Sequence, residues 1–305
     1  MSPAPLRLAI VGASPGNGHP FSFSAIINGY DADGMAASGW DGIHRYLDKQ
    51  DRADIGFNNA RVTHLWTQDQ AISDKIAKAC KIEIVVSDLQ DLISAVDGVI
   101  IARDDYETHA EMAMPFLEAG IPVFIDKPLT LDQKDFELFR RHLDSGLLMS
   151  CSGLRFAREL DEFRGNPLAV GKLVSVQCGV INGWEKYGVH MIDAILGAFP
   201  DVVPQWIVRN GRSRVIGCSD GITLSITCLG DNAPIFGLQV LGEQGGRQIT
   251  ISDNFTAFRR TMLRFVRQIE TAEPQVPVHQ TLRSLSILMA GSNLREGVLT
   301  PIDRL

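Results

Sequence analysis

A chain of 305 residues can hold two domains, each with its own core. Its 45% hydrophobic and 21% charged content is that of an ordinary soluble globular protein. A net charge of −7 and a pI near 5.5 argue against broad binding to nucleic acid or to an anionic membrane, while leaving a small anionic ligand open.

The first apolar run, Leu6–Val11, is too short for a signal segment and reads as a strand entering the glycine-rich turn Gly12-Ala-Ser-Pro-Gly-Asn-Gly18. About fifty residues separate it from the next strand, Arg61–Trp66, where a whole βαβ unit usually takes about thirty. The excess, near Tyr30–Asn58, is expected to be an inserted helix with loops. A helix follows through Ile72, Ile76 and Ala79. Short strands recur at Ile84–Val86, Val99–Ala102 and Val123–Ile125, with helices around Leu89–Ala95 and Thr108–Ala119. Gly120 ends the last of these, Thr130 is the expected cap of another helix, and Leu147–Gly153 is the expected sixth strand. Repeated strand–helix units imply a doubly wound parallel sheet covered on both faces, so the class is α/β.

Beyond residue 153 the pattern changes. Leu173–Ile181, Val202–Val208, Ser213–Cys218, Ile222–Leu229, Ile235–Leu241 and Arg247–Ser252 read as strands with turn signals between them, giving an α+β domain with an open, mainly antiparallel sheet. Helices are expected at His190–Leu196 and Phe255–Thr271, the latter with Phe258, Met262, Phe265, Val266 and Ile269 on one face. The division this suggests is 1–153 and 154–305. Cys80, Cys151, Cys178, Cys218 and Cys228 are odd in number and lack CxxC spacing, so neither a disulfide framework nor a zinc site is indicated. No apolar stretch approaches the roughly 20 residues that span a bilayer, and the expected compartment is the cytoplasm.

The chemistry gathers at strand ends. The 12–18 turn lies between strand and helix, the context of a dinucleotide fingerprint, in which Gly12, Ser14, Gly16 and Asn17 would approach a pyrophosphate at a helix N-terminus. Ser14 and Asn17 stand where GxGxxG has glycine, so a plain tight turn is as good a reading from this motif alone. After the second strand, Thr67, Gln68 and Asp69 occupy the region that contacts the adenosine ribose. They leave NAD and NADP both open, and Asp69 reads more simply as a helix cap. Arg103, after the fourth strand, is a candidate for an anion or a ribose, whereas His109 reads as a structural histidine. The fifth strand ends in Asp126-Lys127-Pro128, which sets Asp126 and Lys127 at the ligand edge of the sheet. In the second half, Trp184, Lys186 and Tyr187 precede a helix on which His190 and Asp193 share one face.

Together these motifs resemble the Gfo/Idh/MocA oxidoreductases, the glucose–fructose oxidoreductase and inositol dehydrogenase family. The resemblance runs through the 12–18 turn, the helix and strand at 109–125, Asp126-Lys127-Pro128 for the family's Glu-Lys-Pro, Arg155-Phe156, and Gly188-Val-His-Met-Ile-Asp193 for its Gly-x-His-x-x-Asp helix. It implies an N-terminal Rossmann domain and a C-terminal sheet that often builds a dimer. It also implies an NAD or NADP cofactor and hydride exchange at a sugar, polyol or sugar-acid carbinol. By position, Lys127 would orient the substrate hydroxyl and His190 accept its proton, while Trp184, Lys186, Tyr187 and Asp193 line the substrate side. Lys186 departs from the family, which commonly has an aspartate four residues before the histidine. The expected partners are a small-molecule substrate and further copies of the chain, a dimer or tetramer. A catalytically silent nucleotide-binding sensor or scaffold of the same fold is the second reading, motivated by Lys186, Thr67 and the irregular turn.

Overall fold

The structure is a computed structural model that describes residues 4–231, 233, 235–303 and 305. The chain forms two compact units, Met1–Ser150 with Phe258–Gln275, and Cys151–Ala257 with Val276–Leu305. This differs from the division at 153/154. The first boundary lies three residues earlier, and a later segment belongs to the first unit.

The first unit runs β1 (Leu6–Val11), α1 (His19–Asn28), α2 (Ala32–Ala36), α3 (Asp41–Asp48), β2 (Ala60–Trp66), α4 (Gln70–Cys80), β3 (Ile84–Val85), β4 (Gly98–Ile101), α5 (His109–Glu118), β5 (Val123–Ile125), α6 (Gln133–Asp144) and β6 (Leu148–Ser150). All six strands are parallel in the order β3-β2-β1-β4-β5-β6. The order reverses between β1 and β4, so the crevice at their carboxyl ends is the ligand edge. Helices cover both faces of such a sheet, which is why β4 and β5 are continuous apolar runs with every side chain from Val99 to Ile101 and Val123 to Ile125 fully buried.

Several local expectations shift. The 30–58 insertion holds two helices, α2 and α3, and a single 3₁₀ turn at Arg52–Asp54. Met35 and Leu47 anchor the two helices in the core. Leu89–Leu92 is one 3₁₀ turn capped by Asp88, in place of a helix to Ala95. Asp132, not Thr130, caps α6, because its Oδ1 accepts from the Lys134 and Asp135 amides. Thr130 Oγ1 instead accepts from the Asp132 amide.

The second unit contains α7 (Asp161–Gly165), β7 (Leu173–Val180), α8 (Val189–Ala198), β8 (Pro204–Asn210), β9 (Ser213–Cys218), β10 (Thr223–Cys228), β11 (Phe236–Gly242) and β12 (Gly245–Thr250). The helix α9 (Asn254–Thr271) then passes into the first unit, and the chain returns as α10 (Val278–Ser292) and β13 (Thr300–Pro301). The sheet order is β12-β11-β7-β10-β9-β8-β13, with β7 and β10 parallel and the other neighbouring pairs antiparallel among the described residues. Val176, Cys178, Leu224, Ile226, Leu238 and Val240 alternate inward as a half-covered sheet requires. All five cysteines are buried.

Candidate functional site

Each unit has its own cluster of polar side chains. In the first, the glycine turn needs its glycines at two places. Gly12 has φ +78°, and a Cβ there would sit 2.4 Å from Arg103 Cδ; Gly16 has φ +79° and open space around its Cβ position. The turn is braced by side chains from neighbouring loops. The Gln68 amide accepts from the Ala13 N–H at 3.3 Å and donates to the Ala13 carbonyl. Ser14 Oγ donates to Asp104 Oδ1 at 2.7 Å. Asn17 Oδ1 accepts from the His19 amide while its Nδ2 donates to Asp126 Oδ2.

Asp126 therefore joins the two motifs that the sequence presents separately. Its Oδ2 lies 2.5 Å from His19 Nδ1 and 3.0 Å from Asn17 Nδ2, and its Oδ1 accepts from the Lys127 amide. Burial alone would raise this carboxyl, but His19, Lys127 and Asn17 outweigh it and hold it well below the usual carboxylate range. Lys127 is 4% exposed, and its Nζ stands 3.7 Å from Asp104 Oδ2. Ser14, Asp104 and Lys127 thus form one line of polar groups at the carboxyl ends of β1, β4 and β5.

Other predicted cofactor residues have local partners. The Arg103 guanidinium forms a two-pronged pair with Asp105, whose carboxyl it lowers against an opposing effect of burial. Thr67 Oγ1 bonds the Asp69 carbonyl and Ser73, and Asp69 caps α4 through the Ala71 and Ile72 amides. Gln68 and Asp126 likewise brace the turn, and that is the role their contacts show.

The second cluster begins with a wide π-turn, Trp184–Gly188, that leads into α8. Trp184 is buried, donates its indole N–H to the Leu288 carbonyl at 2.9 Å and lies under the Arg214 guanidinium, which makes it a packing residue rather than a lining one. Lys186 is exposed on the turn. Tyr187 lies edge-on to His190 with centroids 5.2 Å apart, and Phe236 flanks both rings. His190 Nδ1 is 2.6 Å from Ser152 Oγ. Asp193 is 2% exposed, accepts from the Ser152 amide at 2.6 Å, and pairs with Arg155 at 3.3 Å. Burial raises its carboxyl, with Arg155, the Ser152 amide and Ser284 acting in the opposite sense. Asp193 is therefore a buried support, not an open substrate ligand.

Sequence reasoning missed His19, Asp104 and Ser152. Ser152 did carry a signal, because a serine ahead of Gly-Leu-Arg-Phe is a cap candidate, whereas His19 and Asp104 become visible only when β1, β4 and β5 are aligned. Among the described residues no group of three or more His, Cys, Asp or Glu could hold a metal, and no helix is long and apolar enough to cross a membrane.

The turn fits a dinucleotide. Gly16 presents backbone to open space, and the ten-residue α1 behind it has no acidic residue in its first turn, so both backbone and dipole favour an anion. A parallel β3-β2-β1-β4-β5-β6 sheet with this turn defines a Rossmann nucleotide-binding protein. Residues 34–144 match the GFO_IDH_MocA model, described as "Oxidoreductase family, NAD-binding Rossmann fold". Solved structures share the fold across both units. Myo-inositol 2-dehydrogenase from Lactobacillus plantarum is 16% identical with a TM-score of 0.75, covering 98% of this chain and 100% of its own. Scyllo-inositol dehydrogenase from Lactobacillus casei, crystallised with NAD(H) and scyllo-inositol, is 14% identical with a TM-score of 0.76, covering 98% and 99%. Myo-inositol dehydrogenase from the same organism, with NAD(H) and myo-inositol, is 12% identical with a TM-score of 0.73, covering 98% and 97%. No curated protein matches the chain.

Proposed function

We propose that this protein is an NAD-dependent dehydrogenase or reductase acting on a carbinol of a polyol, cyclitol, sugar or sugar acid. The observation that carries the reading is Lys127. It is buried at the carboxyl end of β5, paired with Asp104, and its motif is bonded through Asp126 to the glycine turn. A lysine so held is fixed relative to whatever the turn binds. The similar proteins that were crystallised with NAD(H) and an inositol suggest the substrate class.

In this reading the backbone around Gly12–Gly18 and the N-terminus of α1 hold the pyrophosphate, and Ser14 contributes a hydroxyl beside it. When bound, the nicotinamide supplies the two-electron acceptor or donor that no side chain can. Lys127 donates a hydrogen bond to the substrate oxygen and steadies negative charge that develops there. His190 takes the hydroxyl proton in oxidation and returns it in reduction. Tyr187 and Lys186 supply substrate contacts, and the chain works as a homo-oligomer, a dimer or tetramer.

The test is nicotinamide absorbance with NAD and a panel of polyols that includes myo- and scyllo-inositol. Turnover is expected with at least one, and Lys127→Ala should lower kcat/KM by about 100-fold or more. Full turnover in that variant would remove Lys127 from the chemistry.

A further inference from the structure

We infer that Ser152 is the positioning residue for His190, resting on the assignment of His190 as the proton-handling group. Ser152 is fully buried, and its hydroxyl lies 2.6 Å from His190 Nδ1. The same oxygen accepts from the Leu154 amide at 3.2 Å, as the cap of the 3₁₀ turn Gly153–Phe156. Its backbone is fixed as well, because the Ser152 amide donates to Asp193 Oδ2 at 2.6 Å and Asp193 is held by Arg155. The hydroxyl is thus held by the Leu154 amide and carried on an anchored backbone where it meets the imidazole.

The chemistry of a hydroxyl explains why it serves here. A carboxylate on Nδ1 only accepts, so it stabilises the imidazolium and biases the ring toward the charged state. A serine hydroxyl has one proton to give and two lone pairs. One lone pair is used by the Leu154 amide. The other accepts from Nδ1–H when the ring carries a proton there, and the O–H donates to Nδ1 when it does not. The ring therefore keeps one orientation in every protonation state, with Nδ1 committed to Ser152 and the proton exchange with substrate assigned to Nε2. Tyr187 and Phe236 flank the ring and restrict its rotation. The Asp193 carboxylate bonds the Ser152 amide and so acts on the ring through the serine that it anchors.

The experiment compares the full-length wild type with Ser152→Ala and Ser152→Thr. Long-range proton–nitrogen NMR of the nucleotide-free protein reads the His190 ring directly. Removing the hydroxyl should shift the Nδ1 resonance toward that of a ring without a partner at Nδ1, and threonine should restore it. A cap alone would change the thermal midpoint by no more than about 5 °C and leave that resonance in place. With NAD and scyllo- or myo-inositol as probes, kcat should fall about tenfold or more in Ser152→Ala, with KM changed less than about threefold and recovery in the threonine variant. An unchanged Nδ1 resonance in Ser152→Ala overturns the inference. If the wild type turns over no probe, the dehydrogenase reading fails on its own, while the NMR comparison still decides whether Ser152 holds the ring.

Discussion

At the scale of single residues, buried polar groups tie the nucleotide turn to its neighbours. His109 is fully buried, with Nδ1 3.0 Å from the Leu129 carbonyl and Nε2 3.1 Å from the Arg103 carbonyl. It thereby links the loop after β4 to the loop that follows Lys127. Burial lowers its pKa from the ordinary 6.5, so in the native state it binds fewer protons than in the unfolded chain. Its contribution to stability is therefore complete above pH 6.5 and shrinks as pH falls below that value. His64 and His142 are lowered too and share the slope. Chemical unfolding at about pH 7.5 and about pH 5 should show a shallower decline in His109→Gln than in the wild type, and equal slopes would refute this role. Asp126 has the same sign in a lower window, since its depressed pKa makes its contribution complete above 3.8 and lost on further acidification. Asp126→Ala removes the buried carboxylate that His19, Asn17 and the Lys127 amide share, and should cost about 3–5 kcal/mol near neutral pH, measured by the same method.

At the scale of elements, the loop from β2 to α4 lies where this fold contacts the adenosine ribose. Residues Trp66 to Ala71 include no lysine or arginine, and the one charge there is Asp69 at the cap of α4. A 2′-phosphate would meet a carboxylate and no cation, so NAD should bind at least about tenfold more tightly than NADP by calorimetry. Equal affinities would show that the ribose lies elsewhere. The sequence made this loop legible because an amphipathic strand and a capped helix bracket it. It also made β1, β4 and β5 legible, since buried parallel strands are unbroken apolar runs. The helix α10 was missed for the opposite reason. Its buried side includes Gln280, Thr281, Ser284 and Ser286 beside Leu285 and Ile287, so it has no clean contrast between apolar and polar faces. The site was half legible: Lys127 and His190 announce themselves by motif, whereas Asp104 and Ser152, which bond them, and His19, which bonds Asp126, come from segments distant in sequence.

At the scale of the whole molecule, the first unit is assembled from two pieces of chain, and no local pattern announces this. The apolar stripe of α9 is plain in the sequence, but a stripe says that a face is buried and not where. In the structure Phe265 packs against Phe124 with centroids 5.9 Å apart, Ile269 sits against Gly98, and Gln268 Nε2 donates to the Gly146 carbonyl at 2.8 Å. Met262, Phe265 and Val266 are each no more than 1% exposed. Burying three such side chains is worth about 5–9 kcal/mol, against a total stability of about 5–15 kcal/mol for an ordinary domain. Removing α9 also uncovers the core residues beneath it. A fragment ending at residue 153, the boundary that sequence pattern suggests, should therefore lack a cooperative thermal transition. Joining residues 1–150 to 258–275 through a flexible linker should restore that transition and, with it, stabilisation by NAD. A cooperative, NAD-responsive transition in the shorter fragment would show that the Rossmann sheet and its α1–α6 cover suffice. The loss of α9 would then be a matter of degree rather than of folding.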